Sequence, residues 1–423
     1  MKHEEFDVIV VGSGVCGATI AREMSQQGRK VLMLERGGSA PARESLAGIA
    51  GIADEVRLGE RKLATVRALT TGGSTSMYFA VANMPPLELF RAHGIELADD
   101  LEAVRSELPI AALPDRLLTA KARRLRASAI ELGHDWRKNE MLIDASRCDS
   151  GYRYEAKWKA LDYVEDALAA GATLISRAMV VRVLREGGRA IGVEYRRRKG
   201  FGSELRQAYA KKVVLAAGEL ATPTMLRDCG VDGVGARGFF CNPGYGVYGL
   251  VPGLGGGEEG FVGSMSCHLD DGIELGDANV ARVLHRPMML AALRFRHLFS
   301  YSDCVGVGVK VKDGLGGRLE ADGRLRKSFD HGDQVRLERG RREAVRLLER
   351  AGAKHIFDVG LRAAGRIGGL IRIGEHVDGK LETSLRGLHV CDGSVIPDDM
   401  RGTPTVSLIC LARHLSRHLL AAT

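Results

Sequence analysis

Apolar runs of strand length alternate along the chain with segments whose apolar residues recur every three to four positions. Phe6-Asp7-Val8-Ile9-Val10-Val11 is the first run; Ala18, Ala21 and Met24 then recur at helical spacing until Gly28 stops the helix. Lys30 to Leu34 forms a second run ending on Glu35. A loop and helical region is predicted to about Leu69, then a mostly helical, polar stretch from Pro85 to about Cys148. Tyr154 to Gly171 reads as an amphipathic helix with Trp158, Leu161, Val164, Ala167 and Leu168 inward. Thr173–Leu184 and Ala190–Tyr195 read as strands turned at Gly187-Gly188, and Arg196 to Lys199 as a charged turn. Lys212 to Gly218 is a buried strand, followed by a helix with Thr222 as N-cap and Pro223 in its first turn. Antiparallel strands such as Cys304–Val311 are predicted in the glycine-dense region up to about Gly317, and Gln334 to Ala351 is a strongly amphipathic helix. Ile367 to Glu375, Leu388 to Val390 and a helix from about Thr405 to Leu420 close the chain. The alternation predicts an α/β fold with a Rossmann-like core.

The first strand runs directly into Gly12-Ser13-Gly14-Val15-Cys16-Gly17, a G-x-G-x-x-G turn. Gly12 permits the tight turn, Gly14 lets a pyrophosphate approach the backbone, and Gly17 lets helix and strand pack closely. Val15 opens the helix, whose N-terminus presents free N–H groups and partial positive charge to phosphates. Glu35 stands where a carboxylate holds a ribose 2′-OH and repels a 2′-phosphate, which disfavours NADP. Strand, helix, second strand and acid in register make this a dinucleotide site. A second Gly/Ser-rich loop, Thr70 to Tyr78, would let backbone approach a flat ring; taken alone it is an ordinary turn.

Composition narrows the class. A chain of 423 residues suits two domains or one large interleaved one, and 27% charged with 45% hydrophobic residues is globular. The net charge of +8 suits anionic partners, but the arginines are scattered and no nucleic-acid module is present. Cysteines 16, 148, 229, 241, 267, 304, 391 and 410 form no C-x-x-C pair and no zinc or iron–sulfur spacing, so no metal site is expected. They read as reduced, buried thiols of a cytoplasmic protein. The first strand is needed for the fold, so no signal peptide is expected, and no apolar run reaches membrane-span length. Residues 286–299 are apolar with basic punctuation: first a buried element whose Arg tips reach water, then a lipophilic channel lining or an anionic membrane contact.

Four blocks, in order, resemble the glucose–methanol–choline (GMC) family of FAD-dependent oxidoreductases. They are the opening βαβ with Glu35, the loop Gly72-Gly73-Ser74-Thr75-Ser76, the segment Ala217 to Val231 through Thr222-Pro223, and Gly387 to Pro397 followed by Gly402-Thr403-Pro404-Thr405. The third departs from the family signature at Glu219 and Cys229. The resemblance implies an FAD-binding domain of residues 1–90, 151–235 and 355–423, with a smaller α+β substrate (cap) domain of 91–150 and 236–354. It implies FAD held by Gly12, Gly14, Val15, Gly17, Glu35, Arg36, Gly72, Gly73, Ser74, Val181, Ala217, Gly218, Asp392, Gly393, Pro404 and Thr405. Asp392 would reach the ribityl hydroxyls, the Val181–Val183 strand would give backbone contacts to adenine, and the helix after Pro404 would aim its positive end at the flavin N1/O2 edge.

Family members that oxidise alcohols pair a His with a second His or Asn before the last helix. Here Arg366 and Thr403 stand at those positions. Arg keeps its proton, and general-base catalysis supplies roughly 10²- to 10⁴-fold, so its loss matters. Arg366 is instead suited to fixing a carboxylate or an anion beside the flavin. Substitute bases are His268, His285 and His297, with His285 carried as the candidate; Tyr78 and Tyr245 are candidate proton donors, and His376 should lie on a strand past the ring. The expected chemistry is hydride transfer from a CH–OH donor to flavin N5. Non-redox lyase or isomerase chemistry and a non-catalytic electron-transfer subunit are the alternatives. The expected partners are an anionic or lipophilic small molecule and no nucleic acid, with a peripheral membrane or a redox protein as electron acceptor also open.

Overall fold

The computed structural model describes residues 5–41, 44–59, 63–200, 202–269, 272–358, 360 and 362–421. Two sheets organise it. The first has seven strands, with Thr173–Ile175, Val31–Leu34, Glu5–Val11 and Gly202–Leu215 side by side and Leu388–Val390 added beyond the last. These five pair in parallel. At the centre the apolar runs are continuous because both faces are covered: Val8, Ile9 and Val10 have no exposure. Helix Val15–Gln26 packs against both Ala160–Ala169 and the last helix, Thr405–Ala421.

Register decides what this sheet can do. Val11 lies level with Leu34 and with Leu215, and Leu215 lies level with Val390. The loops starting at Gly12, Glu35, Ala216 and Cys391 therefore leave one carboxyl edge together, where open α/β sheets bind ligands.

The second sheet has nine strands and is mostly antiparallel, with Pro243–Leu250, Cys304–Val311, Ile273–Ala278 and Val262–Leu269 at its centre. Helix His331–Arg350 covers it, burying Leu337, Ala344, Leu347 and Leu348, and Gly340 lets it sit against Val309. Its start is fixed by a reciprocal capping box between Asp330 and Asp333. The chain thus has the mixed α/β architecture of a Rossmann-like domain with a smaller β-rich one.

Several expectations need correction. The region before Leu69 holds a short helix, Leu46–Ile52, but then an antiparallel pair, Ala53–Arg57 with Leu63–Ala68. That pair joins the second sheet through Arg362–Ala364, and Lys354–Asp358 joins it too, so these strands of the expected FAD-binding segments lie in the other sheet. The expected Tyr154–Gly171 helix spans only Ala160–Ala169, and Leu168 faces out. Arg196 to Lys199 is no turn: the Arg189–Lys199 strand pairs on to Gly202, because a cross-strand ladder tolerates exposed charge on an open face. The run 173–184 breaks at Arg177, whose φ is +54, leaving a parallel strand and a separate Ala178–Glu186 strand. Ala221, not Thr222, caps helix Thr222–Asp228. Ile367 to Glu375 is irregular, held by isolated bridges. No described helix is long and apolar enough to cross a membrane. All eight cysteines are free and buried.

Candidate functional site

The three glycines of the first turn differ in surroundings as their roles require. A Cβ on Gly12 (φ +103) would lie 2.3 Å from the Ala216 carbonyl oxygen, and one on Gly17 would lie 2.0 Å from that of Gly12. Strand, turn and helix are in contact there, and only hydrogen fits. A Cβ on Gly14 meets nothing within 4 Å, so that side of the turn is open. The same holds at Gly218 (φ +85).

Glu35 knits this edge together. Its Oε2 accepts from Ser13 N at 3.1 Å and Ser13 Oγ at 2.7 Å, and its Oε1 from Gly37 N at 2.6 Å. A carboxylate has about four acceptor sites, so one remains on Oε1. Arg36 points outward. The second loop folds over the first: Gly72 N donates to Ser13 Oγ, and a Cβ on Gly73 would lie 2.9 Å from Gly14 Cα. Ser74 Oγ accepts from Ala68 N, shaping its own loop. Lys157, a buried residue that the sequence reading passed over, anchors this loop by donating to Ser76 O and Tyr78 O. Burial pushes its ammonium down to about 8.

Asp392 does something other than expected. Its Oδ2 accepts from Gly218 N at 2.9 Å and from Thr222 Oγ1, and its Oδ1 accepts from Ser394 N and Oγ. Four protein donors saturate the carboxylate, so it staples the loop at Ala217-Gly218 to the one at Gly393 instead of waiting for ribityl hydroxyls. Burial raises its carboxyl and that of Glu219, which sits against Gly393. Val181 lies on the Ala178–Glu186 strand, 38% exposed and three residues beyond Ala178, whose N donates to Glu35 O at 2.8 Å.

The two chain ends close the cradle. Cys16 Sγ, in the first turn of helix Val15–Gln26, lies 3.5 Å from Leu408 O, in the first turn of the helix that Pro404 and Thr405 begin. Neither first turn carries an acid, and Gly14 gives no side-chain cap. Ser76 Oγ is buried without a partner among the described residues. Open space at Gly14 and Gly218 and two helix starts without acids fit a dinucleotide carrying phosphates.

Arg366 and Thr403 do come together, but neither is free. Both Arg366 Nη atoms donate to backbone, Nη1 to Gly402 O at 2.9 Å and Nη2 to Met400 O, while the guanidinium lies 5.1 Å from the Phe240 ring centre. Burial pulls its pKa down to about 10, against the nearby Asp313 and Glu274 carboxylates. It props the Met400–Gly402 loop through both Nη atoms, while its Nε is buried without a hydrogen-bond partner among the described residues. Thr403 Oγ1 lies 2.7 Å from Val81 O and 3.0 Å from Asn83 Oδ1, and Thr403 N donates to that same Oδ1 at 2.7 Å. A backbone N–H can only donate, so Asn83 must turn its oxygen to Thr403 and its NH₂ away. Asn83 was not anticipated; its one signal is a lone amide in the apolar stretch 80–86.

The other candidates separate. His285 is buried beneath Tyr301, with Nε2 3.0 Å from His297 O; its contacts belong to a different cluster, and burial lowers its pKa. His297 stacks near His355. Tyr78 donates to Trp158 O at 2.7 Å and Tyr245 donates to Leu337 O, so both phenols are engaged. His376 sits in a turn, its Nδ1 accepting from Arg372 N. His268 alone of the three histidines lines the cleft that contains Met400, Arg401 and Gly402, with Glu274 and Lys310 beside it.

Comparison with known proteins agrees with this geometry. The model of the GMC oxidoreductase family matches residues 6–238. An uncharacterised GMC-type oxidoreductase of Mycobacterium tuberculosis is 32% identical over 253 residues, covering 54% of this chain and 39% of that protein. This chain therefore matches well under half the length of that relative. An uncharacterised protein of Methanocaldococcus jannaschii is 24% identical across 98% of this chain and 100% of its own length. In fold, the crystal structure of a pyridoxine 4-oxidase superposes with a TM-score of 0.72 at 16% identity, covering 98% of this chain and 99% of that one. With more than half its residues matched and its glycine turn, second loop and closing segment meeting at one sheet edge, the chain is a member of the GMC oxidoreductase family.

Proposed function

We propose that this chain binds FAD in the cradle between Gly14, Gly218 and the two helix starts, and oxidises a CH–OH donor. The observation that carries the reading is the open space on the outer side of Gly14, within a turn whose other faces are closed. Gly12, Gly14, Val15 and Gly17 receive the pyrophosphate, the remaining acceptor site of Glu35 takes a ribose hydroxyl, and Gly72 to Ser76 face the ring. FAD, when bound, supplies the acceptor for the donor's hydride.

At the reacting end the chain's own groups divide the work. Arg366 fixes the Met400–Gly402 loop, which sets Thr403 against Asn83. The Asn83 NH₂ then donates to the donor's oxygen, bringing an amide to the place of the family's missing partner. His268 accepts the hydroxyl proton, the only imidazole among those considered that shares the cleft with Gly402.

The engaged state of Arg366 and Thr403 favours one other reading, chemistry on bound FAD without net oxidation. Anaerobic mixing with a panel of alcohols, hydroxy acids and polyols separates the two. Bleaching of the flavin by a donor, slowed roughly 10²-fold or more in His268→Gln as loss of a general base requires, supports oxidation. Turnover of a donor with the flavin band unchanged supports the second reading.

A further inference from the structure

The surface segment from Arg282 to Tyr301 has features that the catalytic reading does not use. Helix Arg282–Ala291 buries Met289 against Tyr248 and Phe357, and His285 against Tyr301. The opposite side keeps large apolar groups in water: Leu290 is 48% exposed, Leu293 73%, Phe295 59% and Phe299 80%. The expected buried element is therefore not what forms. Leu293 also holds φ at +55, a left-handed conformation uncommon for a leucine, and does so where its side chain has little to pack on.

Charge points to what covers this face. Arg286, Arg294 and Arg296 are exposed among these apolar groups, and from 282 to 301 the chain has no Asp or Glu. The Arg286 guanidinium lies 4.8 Å from the Phe299 ring centre, so cation and apolar surface share one patch. A two-fold contact with a second copy would set these arginines against themselves. Glu259 near Arg282 already pairs with it, while the exposed Arg286 and Arg294 lie over the Phe299 and Phe357 rings and Arg296 is exposed beside them. Apolar groups rimmed by arginine match a bilayer interface, where acyl chains take the former and lipid phosphates the latter.

We propose that the face formed by Leu290, Leu293, Phe295 and Phe299 with Arg286, Arg294 and Arg296 docks this protein on an anionic lipid bilayer. The inference is independent of the donor and of the base. The test is flotation of the flavin-loaded full chain with phosphatidylcholine vesicles, with and without about one-third phosphatidylglycerol. Expected is binding to the anionic vesicles at low salt, weakened by raised salt. Leu293→Asp/Phe299→Asp should lower that binding at least about tenfold, with flavin content and elution volume unchanged. Arg286→Gln/Arg294→Gln/Arg296→Gln should remove the preference for phosphatidylglycerol. Failure of the native chain to float with anionic vesicles overturns the proposal, as does equal binding by the Asp variant. A concentration-dependent dimer that this variant dissociates, without vesicle binding, would assign the face to a second copy.

Discussion

Gly14→Ala separates a cofactor-holding turn from a merely structural one. At Gly14 the backbone is extended, φ −71° and ψ −169°, a conformation alanine adopts freely, and the added methyl meets no protein atom within 4 Å. Alanine has fewer unfolded conformations to lose, by about 0.4–1 kcal/mol, but Gly14 is the helix N-cap, where alanine is disfavoured by a similar amount, so apoprotein stability should stay within about 1 kcal/mol of native. The methyl would instead stand where the pyrophosphate approaches. Each hydrogen bond to a charged group contributes about 1.5–3 kcal/mol, so displacing one weakens FAD roughly 10- to 150-fold. Gly17→Ala is the control: its methyl would lie 2.0 Å from Gly12 O, between helix and strand. Overpacking of that kind costs about 1–3 kcal/mol or more, with or without cofactor. Titration of apoprotein with FAD, followed by flavin fluorescence, and thermal melts of the same samples read both quantities. Gly14→Ala apoprotein that binds FAD with native affinity would refute the assignment, and so would one that melts far below the native chain.

Lys327 Nζ lies 2.6 Å from Asp313 Oδ2 with both side chains buried, and Asp313 also accepts from Cys241 N and Asn242 N. Lys327→Met should therefore cost about 3–5 kcal/mol in a urea titration, since it strands a buried carboxylate. Arg366→Lys should lose one of two carbonyl contacts, lowering stability by about 1.5–3 kcal/mol while leaving the order of preference among anionic and neutral donors unchanged. A reversed preference would show that Arg366 touches the donor. Asp277 is buried, accepting from Met265 N and Ser264 Oγ, and burial raises its carboxyl from 3.8 to about 7. Between those values the native state binds the extra proton, so this group's contribution falls as pH rises from about 4 to 7. In Asp277→Asn that fall should vanish, seen as a flatter profile of urea midpoint against pH.

Local rules were enough for residues 5–38. The apolar run, the three glycines and Gly28 each act within a few positions of themselves, and the structure has the strand at Glu5–Val11 and the helix at Val15–Gln26. The same holds for Cys304–Val311 and for the long helix, His331–Arg350, whose apolar period is strong. Where local preference was weak, partners decided. Ala53–Arg57 alternates in exposure but becomes a strand only through Leu63–Ala68, and the arginines of 196–198 extend a strand because residues 203–205 lie opposite them.

The site divides along the same line. Which side chains are present, and that no imidazole stands at 366 or 403, is a property of the sequence alone. What those side chains are occupied with depends on atoms hundreds of positions away: Asp392 is consumed by Gly218 and Thr222, and Thr403 by Val81 and Asn83. A carboxylate or a guanidinium carries the same formal charge in either case. Only the packed chain fixes whether its hydrogen-bonding capacity is already satisfied or left for a ligand.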